Sequence, residues 1–276
     1  MWQYAYGISW AVENNVLYIR GGGKSTPFLL PPFANQDGDF VAGLDVAKEW
    51  FCENNLPFVF RGVSPEVKAR MIKLCENCYD FEPDRDNFEY IYSTESLITL
   101  GGKKFREKRN HLNQFRMQYA GYEYEPISKE NMDECREVAK KWAENHDEAD
   151  GTDVELEAIS RLFDNWEALA LKGGLIRIFG QVEAFSIGEE LNDRMALVHI
   201  EKANPEIRGL YQAINNEFLR NTFSHLEFVN REEDMGLPGL RQAKESYQPV
   251  KFAEKFTATY REDAPCQARN CCPAKE

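Results

Sequence analysis

Near the end of the chain, a polar run follows a short apolar segment. Phe228 and Val229 indicate the end of a strand, and the run NREED begins directly after them at Asn230. So much charge at the end of a strand costs desolvation unless a ligand or partner groups compensate it. In open α/β sheets, ligands tend to bind at these carboxyl ends. We therefore predict half of a ligand site in residues 228–249, with the candidate binding residues Asn230, Glu232, Asp234, Arg241, Lys244 and Tyr247.

A second polar cluster lies in residues 194–215. Apolar and polar residues alternate over 194–201, which predicts a strand with His199 and Glu201 on one face near its carboxyl end. A histidine there suits a general base or an orienting group, and a half-buried sheet histidine held by a neighbour is the structural alternative. A helix predicted over 207–221 would offer its amino end as an anion seat. We assign His199, Glu201 and Tyr211 to catalysis, and Arg208, Gly209, Gln212 and Asn215 to substrate binding.

The elements that position these residues form a repeated pattern. Three strands at 175–179, 182–188 and 194–201 are joined by tight turns, and a helix, a strand, a short helix and a last strand follow. The order hairpin, helix, strand, proline-started helix and strand also occurs at 16–92. This order predicts two copies of one α/β domain with mixed sheets, the first incomplete at its amino end. We place the domains at 1–120 and 121–262, followed by a flexible tail at 263–276.

A basic helix is predicted over residues 101–119 in an otherwise acidic chain. Phe105, Leu112 and Phe115 form its buried stripe. One interpretation is a solvated helix between the domains, and the other is a helix that binds phosphate or the end of an RNA. The candidate anion contacts are Lys103, Lys104, Arg106 and Arg109.

Composition limits the classes of partner. A net charge of -13 disfavours a wide nucleic-acid footprint, because such binding depends on neutralising phosphates. No signal peptide and no apolar run long enough for a bilayer are evident, so we expect a cytoplasmic protein without an integral membrane segment. Cys75 and Cys78 form a lone CxxC inside a helical pattern, which we interpret as structural thiols. We predict no metal site.

Three segments resemble a known family. The segments at 91–115, 198–218 and 228–258, among them VHIEKANPEIRGLYQAINNEF and FVNREEDMGLPGLRQAKESYQP, are similar to the DUF2156 family. That family is related to the carboxy-terminal domain of phosphatidylglycerol lysyltransferases. The resemblance implies tandem GNAT-like acyltransferase domains, as in the FemXAB-type aminoacyltransferases. Its lysyltransferase members move an aminoacyl group from charged tRNA to a lipid head group.

The resemblance leaves two hypotheses for function. A GNAT phosphate loop reads Gln/Arg-x-x-Gly-x-Gly/Ala, whereas Glu206 and Tyr211 replace its first and last residues in this chain. This departure favours an aminoacyl donor, such as aminoacyl-tRNA, over acyl-CoA. The first hypothesis is an acyl- or aminoacyltransferase that acts on a small-molecule or lipid head-group acceptor, with the tRNA acceptor end as a partner. The alternative is a degenerate GNAT-like protein that binds a small molecule or a partner without chemistry.

Overall fold

The computed structural model describes residue 3 and residues 6–22, 26–144 and 152–261. The predicted tail at 263–276 lies outside these residues. In chain order, the strands are β1 (Ser9–Glu13), β2 (Val16–Gly21), β3 (Phe28–Leu29), β4 (Val59–Val63), β5 (Tyr79–Pro83), β6 (Glu89–Ser93), β7 (Glu123–Pro126), β8 (Lys172–Ile178), β9 (Gln181–Asn192), β10 (Met195–Ala203), β11 (Phe228–Asn230), β12 (Lys251–Ala253) and β13 (Phe256–Tyr260). The helices are α1 (Asp37–Glu53), α2 (Pro65–Leu74), α3 (Thr94–Thr99), α4 (Arg106–Gln118), α5 (Met132–Glu144), α6 (Thr152–Asp164), α7 (Leu210–Phe218) and α8 (Pro238–Glu245).

The chain forms two compact units. Among the described residues, those before Glu89 and those after Phe252 form the first unit, and those within Glu89–Phe252 form the second. Each sheet takes one strand from a distant part of the chain, because β13 lies between β4 and β5 while β6 lies between β11 and β12. The division therefore falls at Phe88 rather than at residue 120, and the basic helix belongs to the second unit.

The first unit is a mixed sheet with two helices. Its strand order is β1-β2-β3-β4-β13-β5, with β3 and β4 parallel. Helix α1 buries Phe40 and Phe51 in the core of this unit. Helix α2 begins as predicted, since the Ser64 hydroxyl accepts a hydrogen bond from the Val67 amide at 3.2 Å and proline occupies the first turn.

The two cysteines of the CxxC are bonded to each other. Cys75 follows α2 and Cys78 precedes β5, and a disulfide joins them. The interpretation of this pair as free structural thiols was therefore wrong. Two cysteines three residues apart can form a disulfide or remain two thiols on a helix, and the sequence alone does not distinguish these alternatives.

The second unit is a seven-stranded mixed sheet covered on both faces. Its order is β12-β6-β11-β10-β9-β8-β7, and the antiparallel run β8-β9-β10 confirms the predicted meander. Helices α4 and α7 pack on one face, with Leu112, Phe115 and Leu210 in their core. Helices α5 and α6 pack on the other face, with Cys135 and Leu162 in a separate core.

Strands β10 and β11 run parallel and then diverge. They pair only from Met195 with Phe228 to Leu197 with Asn230. Strand β10 continues to Ala203, so its last six residues extend past the end of β11. The pairing of β10 with β9 is also irregular between Val198 and Ile200. This divergence is where the predicted polar side chains lie.

A search for membrane spans gives a negative result for the described residues. None of the helices in the described ranges is both long and apolar enough to cross a bilayer.

Candidate active site

The two faces of the second sheet carry different polar groups. Ala196, Val229 and Tyr92 are neighbours in register and lie on the α7 face. The next row, Leu197, Asn230 and Ile91, lies on the opposite face by strand alternation. These faces define the position of each polar group below.

A bulge in β10 interrupts the predicted alternation. Val198 packs in the α7 core, whereas Ile200, two residues later, packs in the α5/α6 core. A bulge adds one residue to a strand and so reverses which residues face each side beyond it. His199 and Glu201 therefore do not share a face, contrary to the prediction, and they have different partners.

His199 joins two carboxylates on the Leu197 face. Its Nδ1 lies 2.8 Å from Glu232 Oε1, and its Nε2 lies 2.9 Å from Glu189 Oε1. Burial by itself would lower the pKa of His199, but the bonds to Glu232 and Glu189 outweigh it and raise the pKa above 6.5. In the protonated ring both nitrogens donate to carboxylates, and no nitrogen remains to accept a proton. This arrangement suits the orienting role rather than a general base. Sequence reasoning missed Glu189.

Asn230 holds the start of the polar run on this same face. Its amide nitrogen donates to Glu89 at 2.6 Å, and its side-chain oxygen accepts from the backbone amide of Glu232 at 2.8 Å. Glu232 has a φ of 56°, a conformation that costs a non-glycine residue strain unless its surroundings hold it. The Asn230 turn and the His199 bond hold it. Both predicted substrate-binding residues are thus used to shape the strand end.

Glu201 and Arg231 form an ion pair on the α7 face, across the divergence. Arg231 Nη2 lies 3.0 Å from Glu201 Oε1, and the two side chains are only 12% and 13% exposed. Asn215, from α7, donates to the other carboxylate oxygen at 2.9 Å. Arg231 Nη1 is buried and has no hydrogen-bond partner among the described residues. A buried guanidinium donor without an acceptor is the main unsatisfied group of this face.

Aromatic rings and a second cation surround this guanidinium. The Arg231 Cζ atom lies 4.9 Å from the Tyr247 ring centroid and 5.7 Å from that of Tyr92. Lys108 Nζ, from the basic helix, lies 4.6 Å from the same Tyr247 ring. Burial, and then the charge of Arg231, lower the pKa of Lys108, although Glu107 and Glu201 oppose the shift. Sequence reasoning left Arg231, Tyr92 and Lys108 out of the site; the helical position of Lys108 next to the buried stripe was the available signal.

Lys244 braces the loop that carries Arg231. Its ammonium group donates to the backbone oxygen of Arg231 at 2.6 Å and to that of Glu233. In return, the Tyr92 hydroxyl donates to the Lys244 backbone oxygen at 2.8 Å. Burial, followed by the nearby charge of Arg231, lowers the pKa of Lys244 to about 8. Lys244 therefore faces the site and positions Arg231.

Asp234 is fully committed to neighbours of its own loop and β6. Its carboxylate accepts from the Tyr90 hydroxyl at 2.5 Å, from Arg241 at 2.8 Å and from the Gly236 amide at 2.9 Å. Against the opposing effect of burial, the Arg241 bond and then the Tyr90 bond hold the pKa of Asp234 well below its usual range. Because Tyr90 lies in the α7 core, Asp234 and His199 bond on opposite faces of the sheet. The predicted site residues therefore fall into two groups on opposite faces of the sheet, and each group joins residues of both predicted halves.

The amino end of α7 is packed rather than open. Gly209 is buried with a φ of 85°, and a Cβ there would lie 2.5 Å from the backbone oxygen of His111 in α4. Arg208 is exposed, with Nη2 3.2 Å from His111 Nε2. The predicted anion seat at Arg208 and Gly209 is therefore covered by α4. Gln212 is half-buried on the next turn.

Tyr211 lies at the carboxyl end of β10, apart from His199. Burial raises the pKa of Tyr211 to about 12, against hydrogen bonds that involve the Ala203 backbone and Trp142. Next to it, Lys202 is buried, 2.7 Å from Glu155 and 3.1 Å from the centroid of the Trp142 ring. Tyr211 is thus a neutral phenol at physiological pH, able to donate a proton but not to act as a phenolate.

The basic residues of α4 and of the turn before it are either bound to neighbouring groups or exposed. Arg109 caps the preceding turn through the backbone oxygens of Leu100 and Gly102, and Arg116 pairs with Glu217 at 2.7 Å. Neither guanidinium is available as an anion contact in this arrangement. The exposed basic residues of this segment are Lys103, Lys104 and Arg106.

The two mixed sheets and their helices form a GNAT-like α/β fold. FemX, which is 10% identical, has a TM-score of 0.58 over 91% of this chain and 88% of its own. A tandem GNAT protein of a clavulanic acid biosynthesis pathway is also similar, with a TM-score of 0.50, and together with the two mixed sheets these structures confirm the predicted fold class.

The chain belongs to the family described as "Phosphatidylglycerol lysyltransferase, C-terminal", whose model matches residues 1–259. A conserved protein of unknown function from Bacteroides thetaiotaomicron is 35% identical, with a TM-score of 0.87 over 94% of this chain and 88% of that chain. L-PGS from Bacillus licheniformis is 16% identical, with a TM-score of 0.63 over 93% of this chain and 84% of that chain. This membership confirms the resemblance. Family and fold support an acyl- or aminoacyltransferase-like function.

Proposed function

We propose that this protein transfers an acyl or aminoacyl group to an amine or hydroxyl acceptor, with its site on the α7 face where β10 and β11 diverge. The observation that carries the proposal is Arg231 Nη1, a buried donor without a partner among the described residues. Leaving such a group unsatisfied costs about 1–3 kcal/mol. A carbonyl or phosphate oxygen of a bound substrate would satisfy it.

Arg231 has the leading role in this proposal. Its free Nη1 donates to the acyl carbonyl oxygen and stabilises the negative charge that develops when the acceptor attacks. Glu201, itself held by Asn215, fixes the guanidinium through Nη2. Lys108 adds a second positive charge beside the same Tyr247 ring.

The reaction forms a bond from the acceptor nitrogen or oxygen to the acyl carbon and breaks the bond between that carbon and the donor's leaving oxygen or sulfur. Tyr211, a neutral phenol, is the proposed relay for the proton: its hydroxyl gives its proton to the leaving atom and takes up the proton that the acceptor loses. His199 is a positioning residue, because it fixes Glu232, next to Arg231, from the other face of the sheet.

Membership of the family supports a proposal for the donor and the acceptor. A charged tRNA is the favoured donor, since Glu206 and Tyr211 stand where a GNAT phosphate loop has basic and small residues. The exposed Lys103, Lys104 and Arg106 are proposed contacts for the RNA end. A lipid head group or a small molecule is the proposed acceptor.

A transfer assay tests the proposal. The purified chain is incubated with labelled lysyl-tRNA or acetyl-CoA and with phosphatidylglycerol vesicles or free polyamines, and labelled product is counted. Arg231→Met should lower the transfer rate about 10²–10³-fold, the typical effect of removing a donor to a developing oxyanion. The matched control is Arg194→Gln, because Arg194 makes an exposed pair with Glu227 outside the site.

The outcomes separate the two hypotheses. Equal loss of transfer in both arginine variants would overturn the role of Arg231. Binding of a donor, seen as a thermal shift, without product from any pair would overturn the transferase proposal in favour of a binding protein.

A further inference from the structure

The first strand of the chain is an unprotected sheet edge. Strand β1 lies at the end of the first sheet and pairs with β2 over five successive residues without a register shift. All five of its residues are exposed. Within the described ranges, no strand pairs with its outer side. Sheet edges are commonly protected by lysine, proline or a bulge, and SWAVE has none of these.

One face of this edge is apolar and uncovered. Trp10 is 69% exposed and Val12 is 63% exposed, and in register they lie beside Ile19 and Leu17 of β2. Phe33, 50% exposed, bridges to Leu17 and extends the same surface. A contiguous apolar surface beside a free strand edge is typical of an interaction site.

We infer that β1 pairs antiparallel with β1 of a second copy of this chain and forms a two-fold symmetric dimer. Placing the axis at Ala11 brings Ala11 opposite itself, Trp10 opposite Val12 of the second copy, and Ser9 opposite Glu13 of the second copy. The two first sheets then become one continuous sheet. Such a contact is isologous and closes on itself.

The side chains of β1 favour this register. Trp10 opposite Val12 is an aromatic–β-branched pair, a combination that stabilises antiparallel strands, and it occurs twice. On the other face, Arg20 pairs with Ser9 in register. In the proposed dimer, the small Ser9 therefore lies between Arg20 and Glu13 of the second copy. Charge complementarity and the apolar pairing therefore indicate a second copy as the occupant.

Sedimentation velocity of the full chain over a wide range of concentration tests the dimer. The wild type should reach twice the 31.9 kDa of one chain. Trp10→Lys and Val12→Glu should each weaken the dimer roughly 30-fold, the effect expected for a central aromatic or apolar anchor. The double variant should recover most of that loss, because lysine at 10 then faces glutamate at 12 of the second copy.

Phe179→Lys is the matched control. Phe179 is an aromatic residue of the second unit, 88% exposed, and its replacement should leave the dimer unchanged. A wild type that stays at the mass of one chain at all concentrations overturns the inference. A dimer that survives both single variants, or a double variant no better than the singles, overturns the register.

Discussion

Replacing Glu201 with leucine should destabilise the second unit far more than an ordinary surface change. The substitution leaves the Arg231 guanidinium, whose side chain is 12% exposed, without its counter-charge. It also removes the acceptor of the Asn215 amide. Breaking a buried pair by removing one partner typically costs about 3–5 kcal/mol.

Two further variants isolate the charge. Glu201→Gln keeps a hydrogen-bond acceptor for both neighbours and should cost only about 1–2 kcal/mol. The double variant Glu201→Leu/Arg231→Met replaces both charges by apolar groups of similar size, and it should lie within about 1 kcal/mol of the wild type. The sum of the two single costs should therefore exceed the cost of the double variant by several kcal/mol.

Urea denaturation measures these differences. At a slope of about 3 kcal/mol per molar urea, Glu201→Leu should lower the midpoint by about 1 M or more. Hydrogen exchange of β10 and α7 peptides assigns the transition to the second unit. Strictly additive single costs would show that Glu201 and Arg231 do not interact in solution, and would refute the assignment of this pair.

Three more predictions follow from the same structure. The raised pKa of His199 gives a stabilisation that is fully present below pH 6.5 and is lost as the pH rises through the higher pKa of the folded state. Over this pH range, the melting temperature of His199→Gln should therefore fall less than that of the wild type. Parallel curves of melting temperature against pH would contradict this prediction. Gly209→Ala places a Cβ against the His111 backbone at a φ of 85° and should lower the free energy of unfolding, measured by urea denaturation, by about 1–3 kcal/mol. Gly239→Ala is the control, because nothing lies within 4 Å of a Cβ at that position, and it should not have this cost. Equal effects of the two substitutions would contradict the packed amino end of α7. Because the pKa of Lys244 is lowered to about 8 in the folded state, the unfolded chain binds this proton more tightly than the folded chain does. The free energy of unfolding should therefore rise from pH 8 towards 10 in the wild type and not in Lys244→Met. The same dependence of this free energy on pH in both proteins would refute the prediction.

Periodicity predicted most elements of the fold, but β1, β5 and α3 were not predicted, and β12 and β13 were predicted as one strand. The strand meander at β8, β9 and β10 and the proline-started helices α2 and α8 follow from alternation and turn residues alone. The exchange of β6 and β13 between the sheets was not predictable from local patterns, because strand order depends on long-range pairing. For that reason the units divide at Phe88.

The candidate site was predicted as one group and is observed as two. Strand alternation assumes a regular ladder, and the irregularity between Val198 and Ile200 places His199 and Glu201 with different partners. Arg231 was not among the predicted site residues, and its partner is Glu201, 30 residues earlier in the chain. A bulge and a distant ion pair leave no signal in the spacing of a single sequence.

The most direct measurement of the central claim is a crystal structure of the protein with a non-hydrolysable aminoacyl-tRNA-end analogue. The account predicts an acyl or phosphate oxygen of the analogue within about 3 Å of Arg231 Nη1, on the α7 face. An analogue bound elsewhere, with Arg231 Nη1 still without an acceptor, would contradict it.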